Sequence, residues 1–153
     1  MINKGILSLL LTSSLPILLI GCTGGKPLAT IKFGENDLEP RTTQIALVPG
    51  KSLSFWNSID VEYIQPIELK FLIDIKQGNN GVPVRVSCDA LNPTTTFMSR
   101  EAQFQDKISK SWKLAKMQCG YGPITKASSL NITVQPLVSK PVKIKRFELQ
   151  IKS

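Results

Sequence analysis

The stretch IELKFLIDIKQGNNGVPVRVSC, Ile67 to Cys88, decides how this chain folds. Ile67, Leu69, Phe71, Ile73 and Ile75 share one parity, while Glu68, Lys70, Asp74 and Lys76 share the other, with Leu72 the single apolar intruder. Successive side chains of an extended chain point to opposite sides, so this alternation predicts one buried face and one wet face. Gly78, Asn79, Asn80 and Gly81 follow, residue types that tolerate the positive φ a tight reversal needs. Beyond them Val82, Val84, Val86 and Cys88 again share a parity. The pattern predicts a β-hairpin with a long first arm.

Outward from this hairpin the chain reads as more of the same. Apolar runs at 28–33, 43–48, 52–56, 61–75 (with a break at Pro66), 82–88, 130–135 and 142–151 read as strands. Pro49-Gly50, Pro93, 120–123 and 136–141 punctuate them. The runs either side of Pro49-Gly50-Lys51 suit a second hairpin. Many short strands with turn signals between them predict an all-β, antiparallel sandwich of jelly-roll or Ig-like type.

Two segments are irregular. In the last run Val142 and Ile144 share one parity but Phe147, Leu149 and Ile151 the other, so one residue is inserted near Lys145-Arg146. A β-bulge there keeps both halves facing inward, and two strands with a kink is the alternative. The one-sided apolar character of this run predicts a central strand. In 99–117, Ile108, Trp112 and Ala115 lie at helical spacing while Lys107, Lys110, Lys113 and Lys116 recur every third residue. A short basic amphipathic helix near 105–116 fits, and so does a strand that delivers Cys119 to the core.

With 153 residues the chain has room for one domain, and 19 basic against 11 acidic residues give a formal net charge of +8. Such a balance favours anionic surfaces, whether lipid head groups, acidic glycans or an acidic partner. Residues 1–21 combine Lys4 with an apolar run from Ile6 to Ile20, interrupted by Pro16, which reads as an export signal rather than a membrane span. That run ends at Leu19-Ile20-Gly21-Cys22, which resembles the lipobox of bacterial lipoproteins. The resemblance covers only these first 22 residues and implies cleavage before Cys22 and its acylation by diacylglycerol and palmitate-type chains. Thr23, where an Asp would imply inner-membrane retention, points by the same resemblance to the outer membrane and its periplasmic face. Residues 22–27 then form a short acylated tether before a domain at 28–153. Lys26 and Lys32 would sit near the head groups. An exported address leaves nucleic acid as no expected partner.

With Cys22 given to lipid, Cys88 and Cys119 remain. An even pair in an exported chain points to a disulfide, two free buried thiols being the alternative. The chain contains no His, which removes Ser–His–Asp and Cys–His catalysis and histidine-held metals together. No Gly-rich phosphate cradle occurs, and no cofactor or metal is expected. Glu35, Asp37 and Glu39 could ligate calcium or form a plain acidic loop.

The expected role is therefore non-enzymatic. Trp56, Tyr63, Trp112, Lys113, Lys116 and Tyr121 are the residues that could meet a partner or ligand, although Trp56 also suits the core. The first expectation is an envelope lipoprotein that docks another envelope protein. The competing ones are an immunity-type inhibitor of a toxin and a glycan-binding module built on Trp112, Tyr121 and the lysines.

Overall fold

The computed structural model describes residues 25–153, so the export signal and Cys22 lie outside the described residues. Among the described residues there is no helix, and ten strands form two antiparallel sheets. The strands are β1 (Ala29–Phe33), β2 (Arg41–Leu47), β3 (Leu53–Ile64), β4 (Leu69–Gln77), β5 (Val84–Asp89), β6 (Thr95–Phe97), β7 (Arg100–Phe104), β8 (Lys107–Tyr121), β9 (Ser128–Val138) and β10 (Val142–Lys152).

One sheet, here sheet A, has the order β1-β10-β3-β8, with β6 and β7 both pairing the outer side of β8. The other, sheet B, has the order β2-β9-β4-β5. The pairings are nested: β4 with β5, β3 with β8, β2 with β9 and β1 with β10. The chain is thus one long hairpin whose tip is the 67–88 stretch, rolled up so that β10 also pairs β3 and β9 also pairs β4. This is jelly-roll topology, with β6 and β7 added on the return path. At the tip Ile75 faces Val84, Ile73 faces Val86 and Phe71 faces Cys88, as the alternation predicts. Gly78 has φ +59, and a Cβ at Gly81 would overlap the Gln77 carbonyl oxygen, so both glycines are required.

Between the sheets lies a core whose centre is aromatic. Phe71 of β4 stacks on Phe147 of β10 with ring centroids 4.4 Å apart, and Phe33 of β1 tilts against both at 6.1 Å. The predicted bulge in the last strand occurs between Ile144 and Arg146, and β10 is central, between β1 and β3. Cys88 on β5 and Cys119 on β8 form a disulfide with Cα atoms 5.4 Å apart, which ties the two sheets together.

Several expectations need correction. The helix near 105–116 does not form: β8 runs through it, with Ile108 and Trp112 inward on strand alternation. A bulge then slips the register, Trp112 facing Ile59 and Ala115 facing Asn57, so four-then-three spacing imitates a helix turn. The hairpin across Pro49-Gly50 does not form either, because β2 belongs to sheet B and β3 to sheet A. β2 buries Ile45 and Leu47 and β3 its odd-numbered residues between the sheets, and each pairs within its own sheet, β2 along β9 and β3 along β8 and β10. Residues 52–56 and the run starting at 61 are one strand, β3, which ends before the Gln65–Pro66 bond.

Candidate functional site

Sheet A is wider than sheet B, and β5, the last strand of sheet B, is short. The β6–β7–β8 side of sheet A therefore overhangs, and part of its inner surface has no strand facing it. A groove occupies this overhang. It consists of two adjoining hollows of about 380 and 310 Å³ that share Leu91, Asn92 and Lys110. Tyr63, Pro66 and Ile67 bound one end, and Thr96, Glu101 and Trp112 line the other.

The wall of the groove is the link from β5 to β6, and it is pinned at Ala90, Leu91 and Thr94. The Ala90 N–H donates to the Leu69 carbonyl at 2.9 Å, the Leu91 N–H to Asp89 Oδ1 at 2.9 Å, and the Thr94 N–H to the Lys116 carbonyl at 2.8 Å. Asn57, fully buried, donates from Nδ2 to the Ala90 carbonyl at 2.8 Å. It accepts at Oδ1 from the Trp112 indole N–H at 2.7 Å, so its amide satisfies both the wall and the floor. Lys110 crosses the overhang to Glu101 at 3.5 Å. Burial first, then the negative charges of Glu101 and Asp89, raises the Tyr63 hydroxyl above its usual range, keeping it a hydrogen-bond donor.

The outer face of sheet A has a different chemistry. A straight row crosses it: Thr30, Gln150, Trp56, Lys116 and Thr95. The Lys152 ammonium lies 4.7 Å from the centre of the Trp56 ring. Further along, Glu62 is surrounded by Lys145 at 2.8 Å, Lys107 at 3.3 Å and Lys143 at 3.9 Å. Its hydrogen bonds to Lys145 and Lys107 hold its pKa down at about 2. A carboxylate with a depressed folded pKa stabilises the fold above its unfolded value, near 4.5, and loses that contribution as pH falls toward 2. We therefore expect Glu62→Gln to flatten the fall in stability between those pH values, read as the urea midpoint at a series of pH values. An unchanged acid limb would count against this assignment.

At the bulge of β10 the Arg146 guanidinium donates from Nη2 to the carbonyls of Ile59 and Trp112, both at 3.1 Å. The register slips of β10 and β8 are thus bridged by one side chain across β3.

The structure separates the six residues picked out by sequence into two groups and one residue apart from both. Tyr63 and Trp112 face inward at the groove, and Trp112, only 5% exposed, is part of the core. Its ring is therefore no open platform for a sugar. Trp56, for which the sequence leaves both a contact role and a core place open, is half-buried on the outer face of sheet A, directly opposite Lys116; Lys113 is exposed on the same strand as Lys116. Tyr121 sits at the end of β8, where its hydroxyl accepts from Gln77 Nε2 at 3.0 Å. Of the acidic loop, Asp37 pairs with Arg41 and Glu35 accepts from the Ile144 N–H, and among the described residues no cluster suited to a metal ion occurs. Lys110 is legible in the sequence only as one of the recurring lysines, and Leu91, Asn92 and Glu101 of the groove are not singled out there, since only the sheet overhang brings the four together.

These features define a disulfide-stapled jelly-roll domain with a rigid-walled groove and a basic sheet face. No protein-family model, curated protein or solved structure matches the chain.

Proposed function

We propose that this chain is an outer-membrane-anchored lipoprotein, on the periplasmic side, whose β-sandwich is a non-enzymatic docking module for another envelope protein. The observation that carries the docking part is the groove under the overhang of sheet A. It is open and mixed in polarity, and its wall is held by hydrogen bonds to β3, β4 and β8, so little ordering is needed on binding. Leu91 and Ile67 offer apolar contact, while Asn92, Lys110 and Glu101 offer directional polar contact. The anchoring part is supported by the sequence Leu19-Ile20-Gly21-Cys22 and by the start of β1 at Ala29, soon after it.

Both parts are open to experiment. A photo-reactive residue replacing Thr96, exposed in the groove, should give a discrete cross-linked adduct in the intact envelope. The same residue at Gln44, on the outer face of sheet B, should not. Equal labelling from both positions, or none, would remove the groove from the proposal. Cys22→Ser should abolish lipid labelling and free the domain from membranes washed in about 1 M salt, where charge attraction reaches only about 3 Å. Acyl chains contribute about 0.8 kcal/mol per buried methylene, so their loss converts a stable anchor into none. Retention of Cys22→Ser in salt-washed membranes would refute the anchor.

A further inference from the structure

We infer that the outer face of sheet A lies on the surface of an anionic phospholipid bilayer, leaving the groove beneath the overhang open to the aqueous side. The inference takes from the proposed function only the anchored state, and it is testable without the anchor.

Charge is the first argument. To the three lysines gathered on Glu62 the same face adds Lys32, Lys113 and Lys116, against the acids Asp60, Glu62 and Glu148, while Lys152 on this face is buried against Trp56. The outer face of sheet B carries Lys70, Lys76 and Arg85 against Asp74 and Asp89, among serines, threonines, Asn131, Gln135 and the scattered apolar residues Ala46, Leu72 and Leu137. The positive excess of the chain is therefore concentrated on one of two opposite faces. A face of that kind attracts an anionic surface and orients the domain on it.

Apolar side chains on the same face are the second argument. Ile64, Lys107 and Phe104 form one row across β3, β8 and β7, and Phe104 is 76% exposed. Phe97 stands opposite Leu114 on β6 and β8, and Leu28 is exposed one residue before β1. With half-buried Trp56 among the lysines, the face combines aromatic and aliphatic side chains with cations, the composition that suits the head-group layer.

The third argument is where the chain leaves the domain. The Leu28 N–H donates to the Ile151 carbonyl at 2.7 Å, so the tether departs from the edge of sheet A itself. The stretch 22–27 spans at most about 20 Å when extended, short enough to keep this sheet near the bilayer.

The test uses residues 25–153, which contain both complete sheets and the disulfide and lack Cys22. Circular dichroism and an intact disulfide first establish that each protein used is folded. The fragment should sediment with vesicles of phosphatidylcholine containing roughly a quarter phosphatidylglycerol, less so as salt rises, and not with phosphatidylcholine alone. Lys113→Glu with Lys116→Glu should lower partitioning at least about ten-fold, whereas Lys70→Glu with Lys76→Glu should leave it within about two-fold. Trp56 fluorescence should shift to the blue on binding and be quenched by brominated lipid, a signal that Trp56→Phe removes while buried Trp112 stays silent. Absence of binding to the anionic vesicles overturns the inference, and so does equal loss from the two pairs of reversals. Unquenched Trp56 in a bound fragment overturns it too, as does binding of the sheet A face to a protein or glycan in place of lipid. Failure here leaves the Cys22→Ser experiment untouched, and failure there leaves vesicle binding of this fragment untouched.

Discussion

A chain that stops before Val142 should not fold. β10 runs between β1 and β3, so among the described residues its removal takes away the one strand paired to β1 and one of two partners of β3. It also removes Phe147, Leu149 and Ile151, all fully buried, and with Phe147 the ring stacked on Phe71. Truncation of a buried Phe, Leu or Ile typically costs about 2–5 kcal/mol each. Three such losses approach or exceed the roughly 5–15 kcal/mol that holds a domain of this size together. Loss of near-ultraviolet circular dichroism and of any cooperative urea transition is the expected result. A graded version is Phe147→Ala, expected to cost about 3–5 kcal/mol in urea unfolding while leaving the topology intact. A truncated chain that still unfolds cooperatively would mean that the β1–β10–β3 order does not hold the sandwich together.

Much of that architecture is written in parity. The alternation at 67–88 identifies the hairpin that is the tip of the roll, and the parity slip near Lys145-Arg146 locates a real bulge. Parity fails where a polar residue is buried or an extra residue is inserted. Asn57 sits inward at the middle of β3 because it satisfies Trp112 and Ala90, and a polar residue at that position splits one strand into two on paper. The insertion in β8 between Trp112 and Ala115 turns strand spacing into helix spacing. The pairing of β2 with β9 rather than β3 is of another kind: strands distant in sequence find each other through the core they share, and no local pattern records that.

The site was legible only in part for the same reason. Trp112 and Tyr63 stand out in the sequence as aromatic residues near polar ones, but which face each occupies depends on a register that three irregularities alter. The basic face could not be separated from the net charge of the chain until β1, β10, β3 and β8 lay side by side. The groove exists because one sheet is wider than the other, a property of topology and not of any residue pattern.

Removing the disulfide should loosen that groove before it unfolds the domain. Cys88 and Cys119 are 31 residues apart, so in the chain-entropy view the bond stabilises the fold by about 3–4 kcal/mol. Cys88→Ala with Cys119→Ala should therefore lower the melting temperature by roughly 10–15 °C. The bond joins the last strand of sheet B to β8, and the groove wall begins two residues after Cys88. Without it, β5 keeps only its pairing with β4, and the bonds of Ala90 to Leu69 and of Asn57 to Ala90 are left to hold the link. Amide exchange at Ala90 and Leu91 should then rise well above exchange at Leu149, in the middle of β10. Such a split would place the wall in a less stable unit than the aromatic core. A double variant that melts within about 2 °C of the parent, or whose amides at Ala90 and Leu149 accelerate equally, would show that the staple does not act locally.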